Sequence, residues 1–496
     1  MDILKDYLAA GSVNHAMLQF VANLDSVAKL APDIAHSIVK ELRDQRSHLK
    51  LIASENFSSL NVQAAMGNLM TDKYAEGSVR NRYYAGCDNV DDIEDIARKE
   101  AMKLFGAEHA YVQPHSGSDA NTVAFWGILR KRIQAPMLEE MGYENITDLP
   151  KEKWDKMRAA LGNQKLLGMD LAAGGHLTHG FRHNVSSQIF DCYSYGVSRE
   201  TGLLDYDEIR KQLHEIKPLI FLVGFSAYTR PIDFKKCREM ADEVGAVLMV
   251  DMAHFAGLVA GGAMTGVNNP VPYAHVCTTT THKTLRGPRG GMVLCVEEFA
   301  DFVDRGCPHV LGGPLPHVMA AKAVAFKEAQ KPEFKTYAAQ VVKNAQALAA
   351  GLEENGITTL TGGTDNHIVL VNVGKLGMTG RQAETALREC GFTLNRNSLP
   401  FDEMGQWYTS GLRLGTPALT SLGMLEPEMK QIAAIMAKVL KNVTPATTKS
   451  GAKSKNKYTL DADIQKASHD EVKQVLNRFV LYPEIDLDFL GKYFEL

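Results

Sequence analysis

The run Thr278-Thr279-Thr280-Thr281-His282-Lys283-Thr284-Leu285-Arg286-Gly287-Pro288-Arg289-Gly290-Gly291 sets one lysine apart from the rest. Most lysines sit in solvent, but the flanks of Lys283 are unusual. An apolar start, Ala274 to Cys277, reads as a strand end; four hydroxyls follow, and Gly287 to Gly291 reads as a tight turn rather than a helix. Such surroundings partly desolvate an amine and lower its pKa, as a lysine needs in order to form an imine with an aldehyde. Asp251 closes the apolar run Ala246-Val247-Leu248-Met249-Val250, with His254 three residues on. That places a carboxylate at the carboxyl end of a buried strand, where open α/β sheets hold their ligands. Gln113-Pro114-His115-Ser116-Gly117-Ser118-Asp119-Ala120-Asn121 stands just ahead of a helix-compatible stretch, Thr122 to Arg130. Backbone amides at a helix N-terminus, helped by serine hydroxyls, bind phosphate.

Each signal has a plainer meaning alone: an Asp after a strand caps helices, and so does Ser-Gly-Ser. Their order gives them weight. A phosphate cradle, a carboxylate for a pyridine nitrogen and an amine for an aldehyde are together what pyridoxal 5'-phosphate demands, the carboxylate keeping the ring protonated and electron-withdrawing. The sequence therefore points to pyridoxal phosphate joined to Lys283 as a Schiff base, with Asp251 at the ring nitrogen.

These residues need a sheet to position them. A strand-helix-strand rhythm runs to about residue 300; its clearest unit is Leu219 to Phe225 as strand, Phe234 to Val244 as helix and Ala246 to Val250 as strand. That spacing suits a right-handed βαβ crossover and a mostly parallel sheet. After Gly313 the pattern changes: Met319 to Lys331 and Tyr337 to Glu354 read as helices, His367 to Val373 and the region of Thr393 as strands. We expect an α/β protein divided into a helical segment 1–50, with a helix over Ser26 to Lys50, a large domain 51–318 and a small α+β domain 319–443. A linker and C-terminal extension, 444–496, complete the chain, with Thr444 to Lys457 flexible and a short helix carrying Val472, Val475, Leu476 and Phe479.

The chain has 496 residues, 45% hydrophobic and 23% charged, enough to bury a sizeable core. A net charge of -4 argues against nucleic acid as partner, and the lysines after Val443 lack accompanying arginines or interleaved aromatics. Seven scattered cysteines without a CxxC pair point to reduced thiols and no metal site. Asp2 and Asp6 interrupt the amino terminus, and no apolar run approaches the roughly 18 residues of a membrane span. The expectation is a cytoplasmic protein with no membrane or nucleic-acid partner.

Longer blocks carry a family resemblance. They are Leu51-Ile52-Ala53-Ser54-Glu55-Asn56, Asp72-Lys73-Tyr74-Ala75-Glu76-Gly77, Arg82-Tyr83-Tyr84-Ala85-Gly86-Cys87, Gly174-Gly175-His176-Leu177-Thr178-His179-Gly180 and Gly224-Phe225-Ser226-Ala227-Tyr228. Thr364-Asp365-Asn366-His367 and Thr409-Ser410-Gly411-Leu412-Arg413-Leu414-Gly415-Thr416-Pro417-Ala418 continue the series. In these blocks, from about residue 45 to about residue 440, the chain resembles the serine hydroxymethyltransferases, fold-type I pyridoxal phosphate transferases. The resemblance implies transfer of the hydroxymethyl group of L-serine to tetrahydrofolate, giving glycine and 5,10-methylenetetrahydrofolate.

By the same resemblance His176 stacks on the cofactor ring, Ser226 and His254 lie at its phenolic oxygen, and Ser116, Gly117 and Ser118 hold the phosphate. His282 and Thr280 flank the imine lysine with catalytic roles, and Arg289 is structural or close to the cofactor. Arg413 grips the substrate carboxylate with two parallel donors and fixes which bond stands perpendicular to the ring. Ser54, Tyr84 and His254 join it around the substrate. Tyr74, Glu76, Tyr83 and Tyr84 belong to a loop that reaches the neighbouring subunit's site, which implies a homodimer with shared sites. There Glu76 manages the proton of the substrate hydroxyl and meets the folate, while Tyr74 and Gly313 meet phosphate. Leu171, Gly175, His176, Leu177, Tyr83 and Asn397 occupy positions like those that hold folate.

The chain also departs from the family pattern. Ala173 stands where an imidazole is common, Gln406-Trp407 replaces a smaller apolar pair, and Cys307-Pro308-His309-Val310-Leu311 shortens a glycine-glutamine loop. An insert, about 131–164, and the extension 444–496 exceed the usual length; the insert could cover a subunit interface. A folate-independent β-hydroxyamino-acid aldolase or an alanine racemase shares the imine chemistry and stands as the alternative activity. A silent scaffold or RNA-binding protein is opposed by the intact Lys283, Asp251 and Arg413.

Overall fold

Strings of apolar residues short enough for strands and bounded by polar turns build the centre of the molecule. A computed structural model describes residues 2–11 and 13–495. Seven strands form one sheet: β1 (His109–Tyr111), β2 (Lys165–Met169), β3 (Asp191–Tyr195), β4 (Ile220–Gly224), β5 (Val247–Asp251), β6 (Val276–Thr280) and β7 (Gly291–Cys295). Their order is β1-β7-β6-β5-β4-β2-β3. Only β7 runs against its neighbours. Every residue of β4, β5 and β6 is buried, as both-face burial of a parallel sheet requires. The helix Phe234–Val244 joins β4 to β5; Asp233 caps its start by accepting from the Lys236 N–H, and Gly245, at φ +72°, ends it.

A smaller antiparallel sheet, order β8-β10-β9, comprises β8 (Ile368–Asn372), β9 (Asn395–Asn397) and β10 (Gly411–Gly415). The helices Pro332–Glu354 and Glu426–Asn442 pack together in the core beside it. The α/β class with a mostly parallel central sheet is therefore as expected.

Three local readings need correction. The helix expected over Ser26 to Lys50 is two, His15–Leu30 and Pro32–Ser47. Pro32 has no N–H to continue the first, and instead takes the opening turn of the second. Thr444 to Lys457 is not a flexible linker: β11 (Thr444–Thr447) and β12 (Lys453–Thr459) pair as a hairpin. Its backbone is fastened by a buried side chain, the Gln382 amide donating to the carbonyls of Ser454 at 2.9 Å and Lys457 at 2.8 Å. The small core also runs past Val443, for Val472, Val475 and Leu476 of the helix Ala462–Leu476 are buried in it.

The chain ends meet. Buried Val21, Leu24, Val39 and Leu42 of the first helices pack with Leu481, Ile485, Leu490 and Phe494, and Arg46 donates to the carbonyls of Leu481, Tyr482 and Ile485 at 2.7–2.8 Å. The insert folds as a π-helical turn, Arg130–Gln134, and the helices Ala135–Met141 and Lys151–Gly162. Trp154 packs with the hydrophobic cluster that holds Leu138 and Met157.

Candidate active site

Asp251, the last residue of β5, is the electrostatic centre of the site. Its Oδ2 accepts from the Asn121 amide at 2.9 Å and lies 3.3 Å from His179 Nε2, while Oδ1 accepts from the Ala253 N–H at 3.0 Å. Burial alone pushes this carboxyl up, but the bond and charge of His179, then His176 and Asn121, outweigh it and hold the group well below the usual carboxylate range. It is thus an anion at any physiological pH. The Asn121 amide also donates to Thr178 Oγ1 at 2.7 Å, and the Thr278 hydroxyl donates to Asn121 Oδ1 at 2.5 Å. His176 Nδ1 lies 2.8 Å from Thr178 Oγ1. Ligating atoms of His176, His179 and Asp251 lie within 4.8 Å of one another, but these hydrogen bonds already engage them with neighbours.

Lys283 follows β6, the strand beside β5, and lines a cleft of about 220 Å³ with Asp251, His176, Ser226, His254 and Thr280. Ser116, Gly117, Ser118, His282 and Arg289 complete its wall. Burial lowers the Lys283 amine to about 8, with Asp251 opposing the shift. Burial also lowers His282 to about 3, the Arg289 and Lys283 charges adding to the effect. The loop is fixed by its backbone: the Asn56 amide donates to the Lys283 carbonyl at 3.0 Å, and the Thr284 hydroxyl donates to the His254 carbonyl at 2.9 Å.

Facing the lysine is the start of the helix Gly117–Leu129, capped by Ser116, whose hydroxyl accepts from the Asp119 N–H at 3.1 Å. A Cβ on Gly117 would stand 2.7 Å from the Thr280 methyl, and one on Gly291 would stand 2.2 Å from the Ser116 carbonyl. Only glycine keeps this cradle open. Under it the fully buried Lys322 donates to the carbonyls of Val112, Pro114 and Gly291 at 2.6, 2.9 and 2.8 Å, and burial lowers its amine to about 7. The residues fit pyridoxal phosphate: a buried anion, a neutralisable amine free of hydrogen bonds among the described residues, and an open helix N-terminus share one cleft.

His254 stacks on His367 with ring centroids 5.6 Å apart and planes at 20°. Both rings are held neutral, first by burial and then by the Lys283 and Arg413 charges, His367 at about 3. Arg413, from β10, crosses to the large sheet and donates to the Ser226 carbonyl at 2.7 Å; its Nε donates to Asn395 Oδ1 at 3.2 Å. Burial lowers it only to about 10, so it stays charged. Arg413 lines a second cavity of about 380 Å³ together with Leu171, Gly175, Leu177, Asn397 and Gln406. His176 and Ser226 border both cavities, and burial lowers His176 to about 4. Gly175 permits the approach, for a Cβ there would stand 2.0 Å from the Met169 carbonyl.

Tyr74, Glu76, Tyr83, Tyr84, Gly313 and Ser54 line neither cavity in the single chain. Most form a group of their own. Tyr74 and Tyr84 stand edge to face at 5.0 Å, and their hydroxyls donate to Glu76 at 3.5 and 3.3 Å. The nearest atoms to a Cβ on Gly313 are those of the Tyr74 ring, and the three tyrosines are exposed. Sequence reasoning gave no role to Asn121, His179, Thr178, His367 or Lys322. Asn121, Thr178, His179 and His367 lie inside the motifs already quoted, so their polar types within those motifs were the available signal. Lys322, amid alanines on a helix, gave none.

A half-buried lysine just after one strand and a buried carboxylate at the end of the next share a cleft with a helix N-terminus, an arrangement suited to a fold-type I pyridoxal phosphate enzyme. The model of the serine hydroxymethyltransferase family matches residues 27–140 and 158–436, leaving out part of the insert. A serine hydroxymethyltransferase of Treponema pallidum (strain Nichols) is 58% identical over 494 residues, 99% of this chain and 86% of that protein. Another from Cutibacterium acnes is 55% identical over 94% of this chain and 95% of its own length, and one from Chlamydia muridarum 51% identical over 98% of both. The chain belongs to the serine hydroxymethyltransferase family. The Treponema alignment, covering nearly every residue, takes in the insert and the C-terminal extension as well.

Proposed function

We infer that the chain interconverts L-serine and glycine, passing the hydroxymethyl carbon reversibly to and from tetrahydrofolate with pyridoxal phosphate as cofactor. The observation that carries this reading is the convergence of Lys283, Asp251 and the Ser116–Ser118 cradle in one cleft, beside a second cavity on the far side of His176. When bound, pyridoxal phosphate supplies an aldehyde for an amine and an electron sink for the pair left at Cα when the Cα–Cβ bond breaks.

The side chains divide the remaining work. We assign the cofactor aldehyde to Lys283, its ring nitrogen to Asp251, its ring face to His176, its phenolic edge to Ser226 and His254, and its phosphate to Ser116, Gly117 and Ser118. Asp251 is suited because three hydrogen bonds hold it as an anion. His176 is suited because a neutral ring stacks on a cationic pyridine without charge repulsion. Arg413 orients serine through its carboxylate so that the Cα–Cβ bond, and no other, stands perpendicular to the ring. His282, whose Nδ1 accepts from the Gly290 N–H, is too weak a base to compete for the proton of Lys283, and Thr280, whose hydroxyl donates to the Ala253 carbonyl, lines the same cleft. Leu171, Gly175, Leu177 and Asn397, with Tyr83 from a second subunit, hold the folate.

A homodimer follows from the same reading. Glu76, with Tyr74, Tyr84 and Gly313, is exposed or half-exposed and lies outside both cavities of its own chain, which supports its serving a neighbour's site, Glu76 taking the proton of the serine hydroxyl. Seven unpaired cysteines support a reducing, cytoplasmic setting. Among the described residues no helix is long and apolar enough to cross a membrane. Side activities as an aldolase or alanine racemase use the same cleft. The test is a glycine-forming assay on serine with and without tetrahydrofolate, read together with cofactor absorbance. Folate-dependent glycine formation is expected; equal rates without folate assign the chain to the aldolases instead.

A further inference from the structure

The helix Pro316–Ala329 carries a buried charge to which the proposed reaction gives no task. Lys322 shares the apolar face of this helix with buried Val318, Met319, Ala325 and Phe326, and is itself 1% exposed. All three of its hydrogen bonds go to main-chain carbonyls: those of Val112 and Pro114, just past β1, and of Gly291, the first residue of β7. Three acceptors take three N–H groups, and only the charged amine has three. Removing a cation from water is costly, and an apolar side chain of similar size would fill the same space without that penalty. The charge calls for an anion, and carbonyls are not one.

Two glycines make room for the arrangement. A Cβ on Gly290 would stand 2.6 Å from Lys322 Cε and 3.1 Å from its Nζ, as one on Gly291 would meet the Ser116 carbonyl. The Gly291 N–H donates to the Pro114 carbonyl at 3.0 Å, so the ammonium, the glycine turn and the segment leading into Ser116 form one clasp. The helix that Ser116 caps has Asp119 in its first turn, where Oδ2 accepts from the Ser116 hydroxyl at 3.0 Å. A carboxylate suits that end of a helix, but it repels a phosphate brought to the same amides. Lys322 offsets it from behind. Asp119 favours the Lys322 charge, as does Glu94, whose own charge is met by Arg82 at 2.6 Å.

We propose that Lys322 is a positioning residue for the cofactor phosphate: it clasps the Ser116–Ser118 cradle to the sheet and supplies, from behind it, the fixed positive charge that a phosphate dianion needs beside Asp119. The proposal rests on the reading of that cradle as the phosphate site. With its three N–H groups committed to carbonyls, Lys322 acts through the cradle and not by touching the ligand. It thereby sets a specificity, for phosphorylated over unphosphorylated pyridoxal, and leaves the aldehyde chemistry at Lys283 alone. A unit charge acts over several ångströms here, since the effective dielectric constant of a protein interior, about 20, is well below that of water.

The experiment titrates apoenzyme with pyridoxal phosphate and with pyridoxal, following imine absorbance below the Lys322 value of about 7. Both compounds carry the aldehyde that Lys283 takes and differ in the phosphate, so the ratio of their affinities reads the cradle. In Lys322→Gln, which keeps two N–H donors without the charge, we expect this ratio to fall at least about tenfold, with pyridoxal affinity within about twofold of the wild type. Lys322→Met should behave alike, and inorganic phosphate should compete for either variant more weakly than for the wild type. Gly290→Ala, whose methyl displaces the ammonium without removing it, should give the same selective loss, and it decides the matter where the neutral variants do not fold. An unchanged ratio in a folded variant overturns the proposal. So does an equal loss for both aldehydes, which makes Lys322 a support of the fold alone. If the wild type binds the two compounds equally, the cradle is not a phosphate site and the proposal falls; if it takes up neither, the functional reading itself fails.

Discussion

The pKa of Lys283 makes a quantitative prediction about how the enzyme captures its cofactor. Burial lowers the amine from its ordinary 10.5 to about 8. Only the neutral amine attacks an aldehyde, so at pH 7 roughly 9% of apoenzyme is competent, against about 0.03% for an unperturbed lysine, a factor of about 300. The sign follows from the depressed value: protonation is disfavoured in the folded protein, so the neutral fraction grows as pH rises and levels off above the folded pKa. Stopped-flow absorbance of apoenzyme mixed with pyridoxal phosphate should give a capture rate that rises about tenfold per pH unit below about 7, bends near 8 and flattens above it. Lys322, at about 7, titrates under the phosphate cradle in the same range. Pyridoxamine phosphate, which has no aldehyde, reports that contribution alone, and the ratio of the two profiles isolates Lys283. A break near pH 10, or identical profiles for the two compounds, refutes the reasoning.

Arg413→Ala should raise the KM for serine by roughly 10- to 100-fold, the value of a lost charge-assisted carboxylate contact, with the cofactor retained; loss of cofactor absorbance in that variant would mean that Arg413 supports the fold. Gly117→Ala places a methyl 2.7 Å from that of Thr280, so cofactor affinity should fall at least about tenfold with serine KM unchanged in the loaded enzyme, and equilibrium dialysis followed by kinetics separates the two. Mixing Glu76→Ala with Lys283→Ala chains under exchanging conditions should restore roughly a quarter of wild-type activity, since about half the dimers are mixed and each holds one complete site; verified mixed dimers without activity place Glu76 in its own chain's site.

The parts of the molecule legible in the sequence are those where one local pattern decides one structure. Ala246 to Val250 can only be a buried strand, and Asp251 is readable because the strand has to end in something polar. The helix Phe234–Val244 falls where Asp233 and Gly245 frame it. The failures lie where distant partners decide. Thr444 to Lys457 has a linker's composition, and becomes a hairpin because Gln382 and Thr379, some seventy residues earlier, bind its carbonyls. Lys322 is indistinguishable from a surface lysine until three carbonyls from other elements are seen to enclose it. His367 joins the site only because the small sheet brings it against His254. The group of Glu76, Tyr74 and Tyr84 was legible as a motif, while the single chain holds it outside both cavities.

The claim on which the rest depends is that Lys283 is the lysine that holds pyridoxal phosphate, and borohydride reduction of the holoenzyme followed by peptide mapping tests it in one step. Reduction fixes the cofactor to whichever amine it occupies. The account predicts a phosphopyridoxyl adduct on the peptide containing Lys283, absent in Lys283→Ala. An adduct on Lys322 or any other lysine, with the Lys283 peptide unmodified, contradicts it.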